Sequence, residues 1–406
     1  MRSNVVLWVL LAAGARVCDA QTKQLTSQDF ASAETCRPCH TEIYQQWRSS
    51  YHSQSATDPV FWQLFGQAIR DTDSRASALC LACHAPVATV GREVASFGPV
   101  SSGLELSPVG REGVTCDFCQ TISGQENLGY NISVGAYRLP RKGETAVKYG
   151  SHRDALASAH PTQPSGFLRS SEFCGICHKF THPLPGLDLE NTYTEWYYSP
   201  YRSQGRRCQD CHMPAYSGTS ATDSPERPDI SAHVFQGGHT EMLKKAAVVS
   251  LWTRTSEKSG RKNIRVDALV TNAGSGHLIP TGIPGIRQLW LDLTVKTAEG
   301  AEVFTGRSNY GAVLLDREGR PAMPWNAVRV GSDTRLAPQK SRRETFQFSI
   351  PIEKLGILEA RARLYYRLVS DQAAKSAGID PSTPITVAGD RILIFPEGSV
   401  RKMPVE

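Results

Sequence analysis

The stretch that organises this chain is 174-CGICHKFTHPLPGLDLENTYTEWYYSPYRSQGRRCQDCHMP-214. It contains two Cys-x-x-Cys-His pentapeptides, one from Cys174 to His178 and the other from Cys208 to His212. In this pattern the two thiols add to the vinyl groups of a haem, and the histidine that follows becomes an axial ligand of its iron. The two pentapeptides therefore predict covalent attachment of haem c.

Three further Cys-x-x-Cys pairs lie upstream, and the third of them ends in Gln120 where a histidine would complete the pattern. In chain order the five motifs are motif 1 (Cys36–His40), motif 2 (Cys80–His84), motif 3 (Cys116–Gln120), motif 4 (Cys174–His178) and motif 5 (Cys208–His212). Zinc sites and disulfide frameworks also use paired cysteines, but neither needs a histidine directly after the second cysteine. The sequence thus predicts four haem c groups, or five if motif 3 is also loaded.

The predicted attachment residues follow directly from the motifs. The cysteines are Cys36, Cys39, Cys80, Cys83, Cys116, Cys119, Cys174, Cys177, Cys208 and Cys211. The histidines that follow them, and that are expected to bind iron, are His40, His84, His178 and His212.

Motif 3 leaves three alternatives open. Its haem is attached and Gln120 is a weak ligand or none, which leaves an open and reactive iron. Its haem is attached but is ligated by a distant histidine. Or the haem has been lost, and Cys116 and Cys119 form a disulfide or remain free thiols.

Seven histidines lie outside the motifs and can supply second axial ligands: His52, His152, His160, His182, His233, His239 and His277. An iron with histidine on both faces is closed to other ligands and suits electron transfer, whereas an open position suits chemistry. The surplus of histidines favours electron transfer for most of the haems. We expect His277, in the Gly- and Pro-rich loop 276–282, to reach a haem of the preceding domain.

Composition divides the 406 residues into three parts. Residues 1–20 have a short apolar run after Arg2 and small residues suited to cleavage, which predicts a secretory signal peptide. Residues 21–245 contain all the motif cysteines and predict a mostly α-helical or irregular cytochrome domain, with the porphyrins supplying much of its core. Residues 246–406 predict a β-sandwich of immunoglobulin-like type.

The β prediction rests on alternating apolar segments separated by turn residues, so the predicted fold class is multidomain α+β. The segments are Ile264–Val270, Leu289–Val295, Glu344–Ile350, Ala360–Val369 and Ile392–Ile394.

The predicted location is the periplasm or the cell exterior, because of the signal peptide and because c-type haem is attached outside the cytoplasm. No later stretch is long and apolar enough for a membrane span. A lipid anchor at Cys18 is an alternative, disfavoured because Val17 precedes it. The formal charge of +6 omits the haem propionates, and the basic residues are scattered, so no nucleic-acid partner is expected.

These residues resemble the cytochrome c-554 family of multihaem cytochromes, from about residue 30 to about residue 370. The resemblance rests on Tyr44, Trp47, Ser50 and His52 after motif 1, and on the segment Tyr193–Tyr201. It also rests on the stretches 112-EGVTCDFCQTI-122, 170-SSEFCGICH-178, 208-CQDCHMP-214, 233-HVFQGGH-239 and 276-GHLIPTG-282. It implies clustered haems in an exported electron-transfer protein, with redox proteins as partners. It also implies distal-ligand roles for His52, His160, His233 and His277. Gln120 departs from the family pattern, where a histidine would be expected.

The sequence therefore favours a protein that relays electrons between redox partners. One alternative is a redox enzyme acting on a small nitrogen or sulfur compound at the haem of Cys116 and Cys119, with His152, His182 or His239 as a proton donor. A further alternative is a surface role, in which the β-domain binds a partner protein or a mineral and the haem domain serves as a conduit.

Overall fold

The structure is a computed structural model that describes residues 24–72, 77–93, 105–125, 137–141, 143–144, 147–155, 157–182 and 186–404. The predicted signal peptide and Cys18 lie outside these residues, so both remain predictions. Within the described ranges, no helix combines the length and the apolar character that crossing a bilayer requires.

The part of the chain before residue 247 is built from short helices and small two-stranded sheets, as the sequence predicts. Its helices are α1 Ala33–Cys36, α2 Thr41–Arg48, α3 Tyr51–Gln54, α4 Pro59–Thr72, α5 Ser77–His84, α6 Pro86–Val90, α7 Cys116–Thr121, α8 Ser171–Gly175, α9 Thr192–Tyr197, α10 Pro200–Ser203 and α11 Cys208–His212. Helices of one or two turns are marginal by themselves in water, so these depend on the contacts they make.

Eight strands of this region pair two by two, with β3 and β4 parallel and the other pairs antiparallel. They are β1 Gly124–Gln125, β2 Tyr137–Arg138, β3 Lys148–Gly150, β4 Thr162–Pro164, β5 Phe180–Thr181, β6 Asp188–Glu190, β7 Ala215–Thr219 and β8 Glu226–Ser231. None is longer than six residues among those described, so most of the backbone here runs as loops between the motifs.

Long strands begin at Ala247 and form two antiparallel sheets, with the orders β15-β10-β9 and β12-β11-β16-β17-β18. The strands are β9 Ala247–Lys258, β10 Arg261–Asn272, β11 Gln288–Thr297, β12 Glu302–Tyr310, β13 Ala312–Leu315, β14 Arg329–Asp333, β15 Ser341–Pro351, β16 Leu358–Arg367, β17 Ile385–Ile394 and β18 Val400–Met403. Strands β13 and β14 pair as a separate hairpin.

The two sheets share one apolar core, because strict alternation places one face of each strand inward. Along β16 every second residue is buried, and Leu364 lies opposite Leu291 of β11. Val266 and Val270 of the other sheet belong to the same cluster of buried side chains. The α+β architecture in two parts is therefore as predicted, while the immunoglobulin-like topology remains a prediction.

Each of the five predicted β segments falls on a strand, although the segment Ala360–Val369 runs two residues past the end of β16 at Arg367. Strands β9, β12, β13, β14 and β18 were not predicted. Polar residues fill the second half of β9 and most of β12, so the apolar alternation is weak there.

The β-domain also contributes a helix, α12 Asp371–Ala377, that packs on α4 of the haem domain. Ala373 and Ala374 are buried there, next to Val60 and Leu64 of α4. Trp325 adds a hydrogen bond from its indole Nε1 to Asp71 at the end of α4 (2.8 Å). The two domains thus meet through direct side-chain contacts.

We expect replacement of Leu364 by alanine to destabilise the β-domain by about 2–5 kcal/mol, because it opens a cavity in a fully buried site. Chemical unfolding of the holoprotein, followed by far-ultraviolet circular dichroism, measures this. The control is Val313→Ala on β13, a side chain that is 45% exposed, for which the change should stay within about 0.5 kcal/mol. Equal effects of the two substitutions would contradict this account of the core.

Candidate functional site

Each motif has at least its first cysteine on a short helix. In motifs 1 and 4, the backbone N–H of the last histidine donates to the carbonyl of the first cysteine, four residues earlier, at 2.9 Å (His40 to Cys36, His178 to Cys174). A helical turn places residues i, i+3 and i+4 on one face. Both thiols and the histidine of such a motif can therefore address the same haem.

The motifs are adjacent in space, because thiols of different motifs hydrogen bond to each other. Cys36 of motif 1 contacts Cys116 of motif 3, and Cys174 of motif 4 contacts Cys208 of motif 5. Motif 2 joins motif 4 through Cys83, whose thiol also lies 3.8 Å from the carbonyl oxygen of Cys177. These contacts form two groups, motifs 1 and 3 and motifs 2, 4 and 5, which meet where Cys119 of motif 3 packs on the same apolar cluster as Cys177 and Cys208.

Nine of the ten motif cysteines are half-buried and Cys39 is exposed, and none of the ten is in a disulfide. Burial raises the pKa of Cys80 to about 11 and that of Cys119 to about 12. Cys119, Cys177 and Cys208 pack against a cluster that includes Phe118 and Tyr193.

Three motif histidines face a histidine from elsewhere in the chain. The ring centres of His40 and His160 are 6.4 Å apart, with an interplanar angle of 27°. Those of His178 and His52 are also 6.4 Å apart, at 45°. The rings of His212 and His277 are 6.2 Å apart, at 17°. The structure thus brings together three of the four predicted distal histidines with a motif histidine each.

These separations fit a haem iron between the rings. A metal–imidazole bond is about 2 Å long, so two rings on opposite sides of one metal have their centres about 6 Å apart. Direct packing of two histidine rings does not require this gap. The residues present therefore match bis-histidine ligation of haem at motifs 1, 4 and 5.

The outer nitrogen of several of these rings is held by an oxygen. The Nδ1 of His40 lies 2.6 Å from the carbonyl oxygen of Ser220, and the Nδ1 of His160 lies 3.1 Å from Oγ1 of Thr162. The Nδ1 of His212 contacts the carbonyl oxygen of Gln236. Such a contact orients the ring and selects the tautomer whose other nitrogen can bind a metal.

Burial keeps the distal rings neutral. Burial, with a smaller contribution from neighbouring histidines, lowers the pKa of His52 to about 3, and burial lowers that of His277 to about 4. The Nδ1 of His52 is buried and has no hydrogen-bond partner among the described residues. At neutral pH both rings therefore present the uncharged imidazole that iron binds.

His277 belongs to the loop between β10 and β11, as predicted, and a buried asparagine holds that loop. Asn272 donates from Nδ2 to the carbonyl oxygens of His277 (2.9 Å) and Leu336 (3.0 Å), and its Oδ1 accepts from the N–H of Ser275 (3.1 Å). Asn272 is fully buried. It therefore fixes the loop from inside the β-domain.

A buried carboxylate holds the same loop from the haem domain, and sequence reasoning missed it. Glu195 of α9 accepts hydrogen bonds from Thr281 Oγ1 (2.7 Å) and the backbone N–H of Leu278 (3.2 Å), and it pairs with Arg335 (2.7 Å). Burial raises the pKa of Glu195, although Arg335 opposes that shift. Glu195 lies within the segment Tyr193–Tyr201, but the sequence of that segment gives no sign that this carboxylate is buried.

The other predicted histidines have different surroundings. His233 is half-buried, and its Nδ1 lies 2.8 Å from the carbonyl oxygen of Ser231. Its role as a distal ligand remains a prediction, since no described motif histidine faces its ring. His239 packs on Tyr51, with ring centres 4.0 Å apart, and His182 is buried. His152 is half-buried.

Motifs 2 and 3 differ from the other three. The ring of His84 stacks on Phe61 at 4.0 Å and 11°, and its Nδ1 lies 3.1 Å from the carbonyl oxygen of Ser55. Gln120 is half-buried on α7. That helix is anchored by Asp117, which accepts from the N–H of Ala31 at 2.6 Å and pairs with Lys148.

The described residues contain no group of three or more histidine, cysteine, aspartate or glutamate side chains arranged to hold a bare metal ion. The described histidines and cysteines are instead arranged as pairs of histidine rings and pairs of cysteine thiols.

Comparison with known proteins gives two kinds of match. Residues 35–121 match the family described as Cytochrome c554 and c-prime, a segment that spans motifs 1 to 3. No curated protein matches the chain in sequence. Among solved structures, the penta-heme cytochrome c552 from Thermochromatium tepidum has a TM-score of 0.67 and 25% identity, over 90% of this chain and 99% of that one.

A β-glucuronidase from Bacteroides uniformis also matches, with a TM-score of 0.21 and 8% identity, over 37% of this chain and 14% of that one. A similarity of that size carries no information about activity. Four observations indicate the same kind of protein: the haem-attachment motifs, their proximity in space, the family match, and the similarity in fold to a pentahaem cytochrome. The chain is thus a multihaem c-type cytochrome that matches the cytochrome c554 family over motifs 1 to 3, with a β-domain at its C-terminal end.

Proposed function

We propose that this cytochrome is an exported electron carrier that relays electrons between redox partner proteins. The observation that carries the proposal is the set of three histidine pairs with ring centres 6.2–6.4 Å apart. Bound haem supplies a reversible one-electron couple at its iron. The paired histidines of this chain would hold that iron from both faces, which would favour electron transfer over chemistry.

The contacts between motifs support a continuous path. Thiols meet between motifs 1 and 3, between motifs 2 and 4, and between motifs 4 and 5. Cys119 of motif 3 packs on the same apolar cluster as Cys177 of motif 4 and Cys208 of motif 5, which links the two groups of motifs. Cofactors attached to these thiols would lie side by side.

We further propose that motif 3 carries a fifth haem. Support comes from the position of Cys116 and Cys119, which lie in the thiol cluster as the complete motifs do. The similarity in length and fold to a cytochrome with five haems also supports it. His233 is the proposed distal ligand for this haem, since its ring contacts that of Phe235 (centres 5.8 Å apart), and Phe235 packs on the same apolar cluster as Cys116 of motif 3.

The β-domain has a proposed role as a ligand donor and clamp. Its loop brings His277 to His212, and Glu195 and Arg335 hold that loop against the haem domain. For location, we propose the periplasm or the cell exterior, on the strength of the predicted signal peptide.

A second candidate function is redox catalysis on a small nitrogen or sulfur compound, which needs an iron with one open position. Gln120 in place of histidine supports this at motif 3. At motif 2, His84 stacks on Phe61, and no described histidine ring faces it across a gap of about 6 Å. These two motifs are the places where a substrate could bind.

The intact mass of the mature holoprotein should correspond to five covalent haems, each of which adds a fixed mass. The double variant Cys116→Ser/Cys119→Ser should lose one haem and retain the spectra of the others, because its two thiols serve only motif 3. A wild-type mass with four haems would contradict the fifth attachment and remove motif 3 as a catalytic candidate.

Carbon monoxide should bind to a minority of the haems of the reduced protein, at most those of motifs 2 and 3, because paired histidines close the other three. Titration of the Soret band against total haem measures the bound fraction. Binding to most of the haems would refute the relay and favour the catalytic candidate.

Replacing His277 by alanine should open the iron of motif 5 without removing its haem. We expect one low-spin signal to be lost from the electron paramagnetic resonance spectrum, one additional haem to bind carbon monoxide, and the intact mass to retain every haem. His152→Ala is the matched control, since its ring faces no motif histidine among the described residues. An unchanged spectrum for His277→Ala would show that His277 is not a ligand.

A further inference from the structure

A group of exposed arginines surrounds motif 5 at the protein surface. Arg169, Arg202, Arg206 and Arg207 are all exposed, and Tyr198 beside them is 72% exposed. These five residues are called the arginine face below. Arg207 directly precedes Cys208, so the face borders the point where the haem of motif 5 is attached.

The loop that carries most of these arginines is held in one conformation by backbone hydrogen bonds. Gly205 has a φ of +72°, and its N–H donates to the carbonyl of Arg202 (3.0 Å). The N–H of Arg206 donates to the carbonyl of Tyr201 (2.9 Å), and the carbonyl of Arg206 accepts from the indole of Trp196 (2.9 Å). A partner would therefore meet a surface that is already ordered, which lowers the entropic cost of binding.

Arginine and tyrosine side chains are stacked on this surface. The guanidinium of Arg202 lies 3.8 Å from the ring centre of Tyr197. The ring of Tyr197 in turn meets that of Tyr198 edge to face, with centres 5.3 Å apart. Tyrosine and arginine are among the residue types that contribute most to the affinity of protein interfaces.

The charge of the face is unbalanced. Two acidic residues lie beside it: Arg207 pairs with Asp210 at 2.7 Å, and Glu172 accepts from the hydroxyl of Tyr193 at 3.3 Å. Arg169, Arg202 and Arg206 still exceed the one carboxylate that remains, and Lys340 adds a charge across the cleft that Tyr198 also lines. At motif 1, by contrast, Glu34 and Arg37 balance each other at 3.2 Å.

The position of the arginine face determines which motif a bound partner would lie next to. Motif 5 contacts motif 4 through Cys208 and Cys174, and motif 1 contacts motif 3 through Cys36 and Cys116. Motifs 1 and 5 are therefore separated along the cluster by motifs 3 and 4. A partner bound at the arginine face would exchange electrons at motif 5, away from motif 1.

We propose that the arginine face is the docking site of an acidic redox protein, which exchanges electrons with the haem of motif 5. The proposal rests on the relay function proposed above. Complementary charge steers a partner into position and raises the association rate, and ordered aromatic contacts at the centre slow its dissociation.

The test measures binding itself, so that it does not depend on electron flow. Holoprotein is titrated at low ionic strength with an acidic plant-type ferredoxin and, separately, with a basic mitochondrial-type cytochrome c. The ferredoxin should bind more tightly, and binding should weaken as salt is added. Arg169→Glu/Arg206→Glu should weaken it by about tenfold or more, and Tyr198→Ala should weaken it at every salt concentration.

Arg169 and Arg206 suit this test because the contacts described for them use their backbone carbonyls and N–H groups, not their guanidinium groups. The control is Lys258→Glu/Lys354→Glu, which makes the same change of charge at two exposed positions of the β-domain. This control should leave the affinity for ferredoxin within about twofold of wild type, beyond the general effect of net charge.

Three results would overturn the proposal. The wild-type holoprotein fails to bind the ferredoxin at low ionic strength, or the control variant weakens binding as much as the arginine variant does. Alternatively, the arginine variant shifts a haem reduction potential and leaves the affinity unchanged, which would mean that these arginines pair with propionates. Vesicles of anionic phospholipid form a further arm, and binding to them in preference to ferredoxin would assign the face to a membrane surface.

Failure of the relay would look different. In that case ferredoxin binds with the expected dependence on charge and salt, but stopped-flow measurements detect no electron transfer to the haems.

Discussion

The constraint on which the rest of this structure depends is the gap of about 6 Å between paired histidine rings, which is the separation that a haem iron held between them would need. The chain satisfies it with rings from distant segments: His40 meets His160, and His212 meets His277, each pair about 6 Å apart. The local helix orients only the motif histidine. Each opposing ring must be delivered by a loop, so the loops that carry these rings are held by specific hydrogen bonds.

The pair His212–His277 has a further consequence, because it joins the two domains. A β-sandwich needs no haem for its own core, and the buried residues of the two sheets are ordinary aliphatic side chains. Yet its loop enters the haem domain and is held there by Glu195 and Arg335, both nearly buried. Removing one partner of such a pair leaves an uncompensated charge, so the interface tolerates little change.

The haem domain illustrates how a chain with little apolar sequence can pack. Its helices are short, and its apolar clusters are small groups around aromatic residues such as Phe118, Tyr193 and Trp196. Thiols of neighbouring motifs reach each other across these clusters. Because the motifs lie close together, their outer loops are at the surface. There, the charge around motif 5 differs from that around motif 1.

By itself, the sequence determined the motifs, the family and the division into a haem-binding part and a β part. These features are encoded in residues that are close together in the chain: a pentapeptide fits one haem, and alternation with a period of two marks each inner strand. Strands β9 and β12 escaped prediction because polar residues interrupt their apolar alternation. Only the tertiary structure decided which distant histidine meets which motif, that His84 meets Phe61, and that Glu195 holds the 277 loop. Those contacts join residues far apart in sequence, and nothing in their local pattern specifies the partner.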